Sequence, residues 1–363
     1  MGLQLPGSSV DGSDPRAVAE ALPAALGADD PVLITTSGSS GVPKTVVLSP
    51  GALRASADAT AARIGEGSWL LALPAGYVAG LQVLVRAHLA GTPPIYLDGP
   101  FTADAFVAAT REMPVSSGRY TSLVPAQLAT LVAAAETHPA ARDALRSFEA
   151  ILIGGQAIPV PLRERAESLG VRIVRTYGST ETSGGCVYDG VPLDGVEVSV
   201  EVSVESGELL IAGPTLADGY LGDDALTASV FPVGDDGIRR YRTGDAGTVE
   251  DGIVRVTGRR DNVIVSGGIN VSLDRVETVV RGVPGLERAV VIGVADERWG
   301  EASVIVAEPD DEIDDASLLA DARVAVADAI GPAARPARLV RRPVPFLPSG
   351  KPDREALRAE LRE

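Results

Sequence analysis

The stretch Pro-Val-Leu-Ile-Thr-Thr-Ser-Gly-Ser-Ser-Gly-Val-Pro-Lys, residues 31–44, joins a short apolar run to a loop rich in glycine and hydroxyl side chains. The apolar run, residues 31–36, predicts a buried strand. In the loop, glycines let backbone N–H groups turn toward one anion, hydroxyls add donors, and Lys44 adds a positive charge. The stretch therefore predicts a phosphate-binding loop after a strand. It is not a Walker P-loop, because Pro43 precedes the lysine, and a plain surface turn remains the alternative.

Two other predicted strands end in sequence of a similar kind. Residues 151–156, Ile-Leu-Ile-Gly-Gly-Gln, finish in glycines against which a flat ring could lie. Residues 174–182, Val-Arg-Thr-Tyr-Gly-Ser-Thr-Glu-Thr, place Tyr177 to stack on a base, Thr180 to bind phosphate and Glu181 to hold Mg²⁺. A tight strand-to-helix turn, a packed tyrosine and a solvated glutamate are the alternatives. Because the carboxyl ends of parallel strands share one edge of a sheet, these stretches predict one crevice there.

The order of predicted elements indicates two domains. Strands and helices alternate up to about residue 190, which predicts a layered α/β fold with a largely parallel sheet. From residue 196 the repeat Val-Glu-Val-Ser-Val-Glu-Val-Ser-Val has period two and predicts antiparallel strands. Residues 258–268 look like a boundary, followed by a smaller α+β domain. We therefore expect a large domain over residues 1–260 and a small one over residues 261–363.

Hydrophobic periodicity, with proline and glycine as punctuation, predicts the bounds of the individual elements. The predicted helices are residues 50–64, 78–90, 101–110, 126–135, 161–169, 273–281, 316–329 and 354–362. The predicted strands are residues 31–36, 69–74, 94–97, 119–124, 151–154, 172–178, 289–294, 302–306 and 338–342. Residues 1–30 give no clear pattern.

Lysine is rare in this chain. Of the 32 basic residues only Lys44 and Lys351 are lysines, and each follows a Gly/Pro/Ser loop. A lysine is a compact charge on a flexible stem, whereas arginine is a broad planar fork. Codon bias toward GC-rich triplets explains the abundance of arginine, and an isolated loop lysine is usually a solvated cation. Their placement nevertheless favours the hypothesis that chemistry requires both lysines.

Charge and composition exclude several classes of function. The balance of 32 basic and 49 acidic residues, a net charge of −17, argues against binding of nucleic acid. The first residues do not resemble a signal peptide and no apolar run spans a membrane, so we expect a cytoplasmic protein. Cys186 is the only cysteine, and we expect it to have a packing role. Neither His88 nor His138 has the Ser/Asp pattern of a triad hydrolase.

Taken together, six motifs resemble the acyl-adenylate-forming family, which includes acyl-CoA synthetases, luciferases and the adenylation domains of peptide synthetases. From Thr35 to Lys351 they are TTSGSSGVPK, GGQAIP, YGSTE, YRTGD, GRRD and LPSGK, in that order. Residues 73–91 and 177–196 are most similar to the branch that joins o-succinylbenzoate to CoA in menaquinone biosynthesis, in its short actinobacterial form. The resemblance implies an α/β adenylate-forming domain and a mobile C-terminal lid. It also implies ATP, Mg²⁺ and CoA as cofactors and a small carboxylic acid as substrate.

The resemblance assigns a role to each motif residue. Lys351 would bridge the carboxylate and the α-phosphate, Glu181 would bind Mg²⁺, Thr180 would contact the α-phosphate, and Lys44 would grip the β- and γ-phosphates. Asp261 would be the hinge of the C-terminal domain. The residues implied to bind the nucleotide are Thr36, Ser37, Gly38, Ser39, Ser40, Gly41, Gly154, Gly155, Gln156, Tyr177, Gly178, Asp245 and Arg259. Of these, Asp245 would accept the ribose hydroxyls, although an aspartate that closes a turn is an equal alternative.

The acid itself needs an aromatic slot and a partner for its second carboxylate. The candidate pocket residues are Tyr77, Ser122, Thr182, Ser183 and Gly184. Either Arg86 or Arg119 could supply the positive charge. By resemblance, Gly267 and Gly268 would face the pocket in the thioester-forming state.

Some features depart from the family pattern. The phosphate loop begins about 35 residues from the start, so part of the usual first subdomain is absent, and we expect that a homodimer could cover what this exposes. Tyr77 stands where relatives often carry histidine, and Thr45 replaces a glycine. Three alternatives remain open: a ligase for another acyl or aryl acid, a non-catalytic nucleotide-binding relative, and a phosphotransferase that releases ADP.

Overall fold

The computed structural model describes residues 2–10, 12–36, 43–201, 207–310, 314–347 and 351–361, which form four sheets with helices packed on them. The helices are α1 (Pro15–Gly27), α2 (Pro50–Ile64), α3 (Val78–Leu89), α4 (Ala103–Glu112), α5 (Pro125–Thr137), α6 (Pro139–Arg146), α7 (Val160–Ser168), α8 (Asp224–Val230), α9 (Leu273–Val280), α10 (Asp315–Ala329) and α11 (Arg354–Glu360). The strands are β1 (Leu3–Gln4), β2 (Val32–Thr36), β3 (Lys44–Leu48), β4 (Gly67–Leu71), β5 (Ile95–Tyr96), β6 (Gly118–Leu123), β7 (Ala150–Ile153), β8 (Ile173–Ser179), β9 (Gly184–Tyr188), β10 (Val191–Pro192), β11 (Glu197–Glu201), β12 (Glu208–Ala212), β13 (Gly219–Tyr220), β14 (Tyr241–Glu250), β15 (Ile253–Arg259), β16 (Val263–Ser266), β17 (Ile269–Ser272), β18 (Val290–Asp296), β19 (Gly300–Ala307) and β20 (Arg338–Arg341).

The largest sheet has seven strands in the order β10-β9-β8-β7-β6-β4-β5. Strands β4 to β8 pair in parallel, and β9 and β10 continue the sheet antiparallel. Both faces are covered: one hydrophobic cluster contains Trp69 and α1, α2 and α3, while the other contains Phe106 and Phe148 and α4 to α7. Burial on both faces explains the near-continuous apolar runs of the inner strands. The predicted α/β fold with a largely parallel sheet is confirmed.

Two four-stranded antiparallel sheets flank it, in the orders β1-β2-β3-β13 and β11-β12-β14-β15. Strands β2 and β3 form a hairpin in which Thr36 pairs with Lys44, so the glycine- and serine-rich loop is the connection of this hairpin. The antiparallel texture predicted after residue 190 is confirmed by the second of these sheets. Strand β3 was not predicted, because it has few apolar residues and lies directly between a glycine- and serine-rich stretch and the cap residue of α2.

The last part of the chain forms a five-stranded sheet, with order β17-β16-β19-β18 and β20 added in parallel to β19. Two hydrophobic clusters there draw only on residues from Ile264 onward. Gly267 and Gly268 connect β16 to β17, with φ angles of 58° and 83°. Positive φ at both central residues is the requirement of a tight hairpin turn and suits glycine.

Most predicted helices lie within a few residues of the observed ones. Ser49 caps α2 by accepting a hydrogen bond from the backbone N–H of Ala52, with Pro50 in the first turn, as the sequence predicts. Helices α1, α6 and α8 were not predicted. Pro23 interrupts the pattern of α1, and α6 follows α5 almost directly. Helix α8 is short, and its apolar residues Leu226 and Val230 are only partly buried. Within the described ranges, no helix has the length and apolarity needed to cross a membrane.

Candidate active site

The carboxyl ends of three parallel strands meet at one edge of the seven-stranded sheet. Strands β6, β7 and β8 lie side by side there, with Leu123 opposite Ile153 and Ile153 opposite Arg175. Gly154 and Gly155 follow β7, and β8 leads into a 3₁₀ turn, Thr180–Thr182. The sheet topology therefore brings two of the predicted motif segments to the same edge.

Tyr177 and Asp245 are in direct contact, although they lie 68 positions apart. The Tyr177 hydroxyl donates a hydrogen bond of 2.6 Å to Oδ2 of Asp245, while Nη1 of Arg259 lies 3.3 Å from Oδ1. Burial raises the pKa of Asp245 above its ordinary value, against the opposing effect of the Tyr177 and Arg259 hydrogen bonds. The Tyr177 ring and the Asp245 carboxylate therefore lie side by side. An aromatic ring can stack on a nucleobase, and a carboxylate can accept hydrogen bonds from ribose hydroxyls.

Gly178 is needed for the local shape of this strand. Strand β9 folds back along β8, and a β-carbon on Gly178 would lie only 2.1 Å from the carbonyl oxygen of Gly184. The two backbones can approach this closely only without a side chain. Gly178 therefore has a packing role beside the nucleotide role implied by the resemblance.

Glu181, Tyr220 and Lys44 form a second group of contacts. The Tyr220 hydroxyl donates a hydrogen bond of 2.9 Å to Oε1 of Glu181. Lys44 Nζ lies 5.7 Å from the centre of the Tyr220 ring, a cation–π distance. The sequence predicted roles for Glu181 and Lys44 but did not single out Tyr220. The Gly-Tyr pair of β13 has no phosphate-loop or charge signature that could have identified it.

Lys351 reaches the end of β7 from the C-terminal part of the chain. A β-carbon on Gly155 would lie 3.9 Å from Cε of Lys351. The N–H of Leu347 donates a 2.8 Å hydrogen bond to the Lys351 carbonyl, and Phe346 forms a β-bridge with Pro352. The structure therefore brings Lys351 to the edge of the sheet where the motif segments end.

Neighbouring charges shift the pKa of Lys351 in both directions. Desolvation lowers the pKa of Lys351, and the positive charge of Arg259 acts in the same sense. The carboxylates of Glu181 and Asp245 raise it. The ammonium group therefore lies within electrostatic range of Glu181, Asp245 and Arg259, even though part of the Lys351 surface is exposed.

Polar contacts surround the predicted hinge residue, Asp261. Arg259 Nε and Nη2 contact the two carboxylate oxygens of Asp261 at 3.0 and 2.9 Å. Asp274, in the first turn of α9, accepts hydrogen bonds of 2.7 Å from the backbone N–H of Arg259 and from Nδ2 of Asn262. Asp274 therefore ties together the residues on either side of Asp261.

The predicted acid-pocket residues have different environments. Thr182 is fully buried and its hydroxyl bonds to the backbone around the turn, including the Gly184 carbonyl at 2.7 Å. Ser183 is also buried, with φ of 54°, and its carbonyl accepts a 2.8 Å hydrogen bond from Nε2 of Gln82. Ser122 is buried on β6, and Tyr77 precedes α3 as its cap residue. Thr182 is thus a structural residue of the turn.

Arg86 is a buried cation on α3, one turn after Gln82. Its guanidinium lies 5.1 Å from the centre of the Trp69 ring, and Nη2 is 3.4 Å from the Tyr188 hydroxyl. Burial lowers the pKa of Arg86. Among the described residues, Nε of Arg86, Oε1 of Gln82 and the Ser183 hydroxyl have no hydrogen-bond partner. A buried cation without a carboxylate is costly, which makes this place suited to an acidic ligand.

Arg119 lies away from the motif segments. It stands at the beginning of β6, whereas the motif segments gather where the parallel strands end. Its guanidinium donates to the carbonyls of Met113 and Pro114 at 2.7 and 3.1 Å. The sequence could not choose between the two arginines, because the direction of each side chain depends on the tertiary fold.

Glu181 offers one carboxylate for a metal ion. Within the described ranges no group of three or more His, Cys, Asp or Glu side chains comes together as a metal site. Mg²⁺ usually keeps several waters and binds one or two carboxylates plus the phosphates of a substrate. The donor set therefore fits Mg²⁺ that arrives with ATP.

The structure leaves part of the predicted site undescribed. Ser37, Gly38, Ser39, Ser40 and Gly41 lie outside the described residues, between Thr36 and Lys44. Gln156 lies in the described part, three residues past β7, and is half-buried. Cys186 is fully buried, and desolvation raises the pKa of its thiol to about 12, in keeping with the predicted packing role.

Comparisons with known proteins agree with this geometry. Residues 4–221 match the model of the AMP-binding enzyme family and residues 275–351 that of the AMP-binding enzyme C-terminal domain. A probable 2-succinylbenzoate–CoA ligase of Mycobacterium tuberculosis is 42% identical over 316 residues, covering 82% of this chain and 79% of the relative. The 2-succinylbenzoate–CoA ligase of Escherichia coli K12 is 32% identical over 293 residues, covering 78% of this chain and 59% of the relative.

A solved structure has the same fold. The o-succinylbenzoate CoA synthetase of Bacillus subtilis, in complex with its acyl-adenylate intermediate, superimposes with a TM-score of 0.74 at 26% identity. The match covers 90% of this chain and 68% of that one. The same enzyme has also been solved with ATP and magnesium ion. The fold and the site define a two-domain adenylate-forming architecture. This chain belongs to the AMP-binding enzyme family.

Proposed function

We propose that this chain is an ATP-dependent ligase that adenylates o-succinylbenzoate and then transfers the acyl group to CoA. The observation that carries the proposal is the position of Lys351 beside Gly155, among the charges of Glu181, Asp245 and Arg259. A lysine there can contact both the acid and the α-phosphate of a nucleotide bound along β8. The names of the relatives support the choice of acid and of CoA as acceptor.

In the first half-reaction, the carboxylate of the acid attacks the α-phosphorus of ATP and pyrophosphate leaves. Tyr177 stacks on the adenine, Asp245 accepts the ribose hydroxyls, and Lys44 with its loop holds the leaving phosphates. Glu181, together with the phosphates, would hold Mg²⁺, which would neutralise charge on the phosphate oxygens. Lys351 reduces the repulsion between the two anions and stabilises charge that develops in the transition state.

In the second half-reaction, the CoA thiol attacks the mixed anhydride and AMP leaves. Lys351 in its observed position obstructs that attack, so the C-terminal unit has to turn away. We propose that residues 261–363 move as this unit about Asp261, where a large change in one residue's φ and ψ suffices. Gly267 and Gly268 at the hairpin tip then face the pocket.

The second carboxylate of o-succinylbenzoate binds Arg86 in this proposal. Gln82 donates to the carbonyl of Ser183, just after the turn that holds Glu181, and Arg86 lies one helical turn further along α3. All three carry a buried polar atom without a hydrogen-bond partner among the described residues. An anionic group there offsets the desolvation of the guanidinium. An acid without a second carboxylate leaves the guanidinium unpaired and binds more weakly.

The testing experiment is pyrophosphate release with ATP and Mg²⁺ across a panel of acids, each with and without CoA. Release with o-succinylbenzoate, with AMP and a CoA thioester as products, supports the proposal. Release only with another acid supports the same mechanism with a different substrate. ATP binding without release for any acid favours a non-catalytic relative, and ADP as product favours a phosphotransferase. A homodimer also remains a proposal, and light scattering of the purified chain tests it.

A further inference from the structure

We propose that Tyr220 is a positioning residue that couples the Mg²⁺-binding carboxylate of Glu181 to the phosphate-binding Lys44. This inference rests on the proposed function. The Tyr220 hydroxyl donates to Oε1 of Glu181 at 2.9 Å, and Lys44 Nζ lies 5.7 Å from the centre of the ring. One side chain thus touches both of the groups assigned to the metal and to the leaving pyrophosphate.

The backbone holds Tyr220 from both sides. Strand β13 pairs with β3, the strand that begins at Lys44, and Tyr220 stands opposite Val46. On the other side, the N–H of Ala217 donates a 2.8 Å hydrogen bond to the carbonyl of Glu181. The segment around Tyr220 is therefore tied both to the end of the phosphate loop and to the turn after β8.

The ring of Tyr220 is fixed by packing. It is buried, and its centre lies 5.9 Å from that of Phe231, which in turn stacks on Tyr241 at 5.3 Å. A tyrosine hydroxyl is protonated at neutral pH and serves as a hydrogen-bond donor to a carboxylate. A rigid donor that occupies Oε1 orients the Glu181 carboxylate before a metal ion arrives.

This arrangement assigns separate jobs to the hydroxyl and the ring. The hydroxyl fixes the orientation of the Glu181 carboxylate before a metal ion binds. Without the hydroxyl, Glu181 can rotate toward other positive groups such as Lys351. The ring supports Lys44 through its π-face. Both effects belong to the first half-reaction, because the attack of CoA on the acyl-adenylate involves neither pyrophosphate nor its metal ion.

The experiment compares Tyr220→Phe, Tyr220→Leu and wild type by calorimetry of ATP binding at graded Mg²⁺, without acid. We expect Tyr220→Phe to raise the Mg²⁺ concentration for half-maximal tightening of ATP binding by about tenfold, as for loss of a hydrogen bond to a charged group. Tyr220→Leu also removes the ring beside Lys44, so it should in addition weaken the binding of pyrophosphate, measured by the same calorimetry. Tyr120→Phe is the matched control, since Tyr120 is a buried tyrosine that donates to the Ile64 carbonyl outside the site.

A second readout separates positioning from folding. In Tyr220→Phe, adenylation at limiting Mg²⁺ should fall while thioester formation from pre-made acyl-adenylate stays at the wild-type rate. An unchanged Mg²⁺ requirement, or an equal loss of both half-reactions, overturns the role of Tyr220. If wild type itself neither binds ATP more tightly with Mg²⁺ nor releases pyrophosphate with any acid, the proposed function fails as well.

Discussion

Lys351 lies beside Gly155: a β-carbon on that glycine would lie 3.9 Å from Cε of the lysine. Gly155 follows a central strand of the large sheet, and Lys351 lies in the last loop before α11. The C-terminal part of the chain therefore closes over the end of β7. In the proposed mechanism this closed form serves the attack of the carboxylate on ATP, and a second arrangement serves the attack of the thiol.

Replacing Lys351 by alanine should separate the two half-reactions. Without the ammonium group, the approach of two anions loses its compensation, and acid-dependent pyrophosphate release should fall by about 100-fold or more. Thioester formation from pre-made acyl-adenylate and ATP binding should remain near wild type. Lys351→Arg should not restore adenylation, because a planar fork does not replace a compact charge. Full turnover by Lys351→Ala would contradict the role.

ATP binding should weaken as the pH falls, because of Asp245. Burial raises the pKa of this carboxyl, so it takes up a proton at a higher pH than an ordinary aspartate and can then no longer accept two ribose hydroxyls. The KM for ATP should rise on the acid side in wild type. Asp245→Asn should have a high KM for ATP that this titration no longer changes. The measurement is KM for ATP against pH in both proteins, and parallel profiles would contradict the assignment.

Arg86 should determine preference for an acid with two carboxylates. Arg86→Gln should raise the KM for o-succinylbenzoate by about tenfold or more, because one charged contact is lost, and should change that for benzoate little. Arg119→Gln is the matched control, since its guanidinium donates to the nearby carbonyls of Met113 and Pro114 at the other end of β6. Steady-state kinetics with both acids tests this. Equal effects of the two substitutions on the KM values would contradict the assignment of Arg86 to the acid pocket.

Asp274 should favour the closed form. Its carboxylate accepts from the N–H of Arg259 and from Asn262, on either side of the proposed hinge. Asp274→Ala should slow adenylation by roughly tenfold, the scale of one such bond, without slowing thioester formation. Asp314→Ala, which removes a helix cap of α10 in the same part of the chain, is the control for general destabilisation. A loss confined to thioester formation would contradict this role.

The sequence predicted those parts of the site whose chemistry is local. The parallel strands, the turn with Glu181 and the loop lysines all follow from short patterns of apolar, glycine and charged residues. Tyr220 was missed because its importance comes from pairing between β13 and β3, which are far apart in sequence. The different locations of Arg86 and Arg119 likewise emerge only from the fold, because periodicity alone does not distinguish the amino end of a strand from a buried helix face.

The measurement that tests the central claim most directly follows the oxygen atoms of the acid. Wild-type protein is supplied with ATP, Mg²⁺, CoA and o-succinylbenzoate labelled with ¹⁸O in its carboxylates, and the nucleotide product is analysed by mass spectrometry. Attack of the carboxylate on the α-phosphorus predicts AMP that carries one ¹⁸O atom, together with an acyl-CoA thioester. Label in inorganic phosphate with ADP as the nucleotide, or AMP without label, would contradict adenylation of this acid.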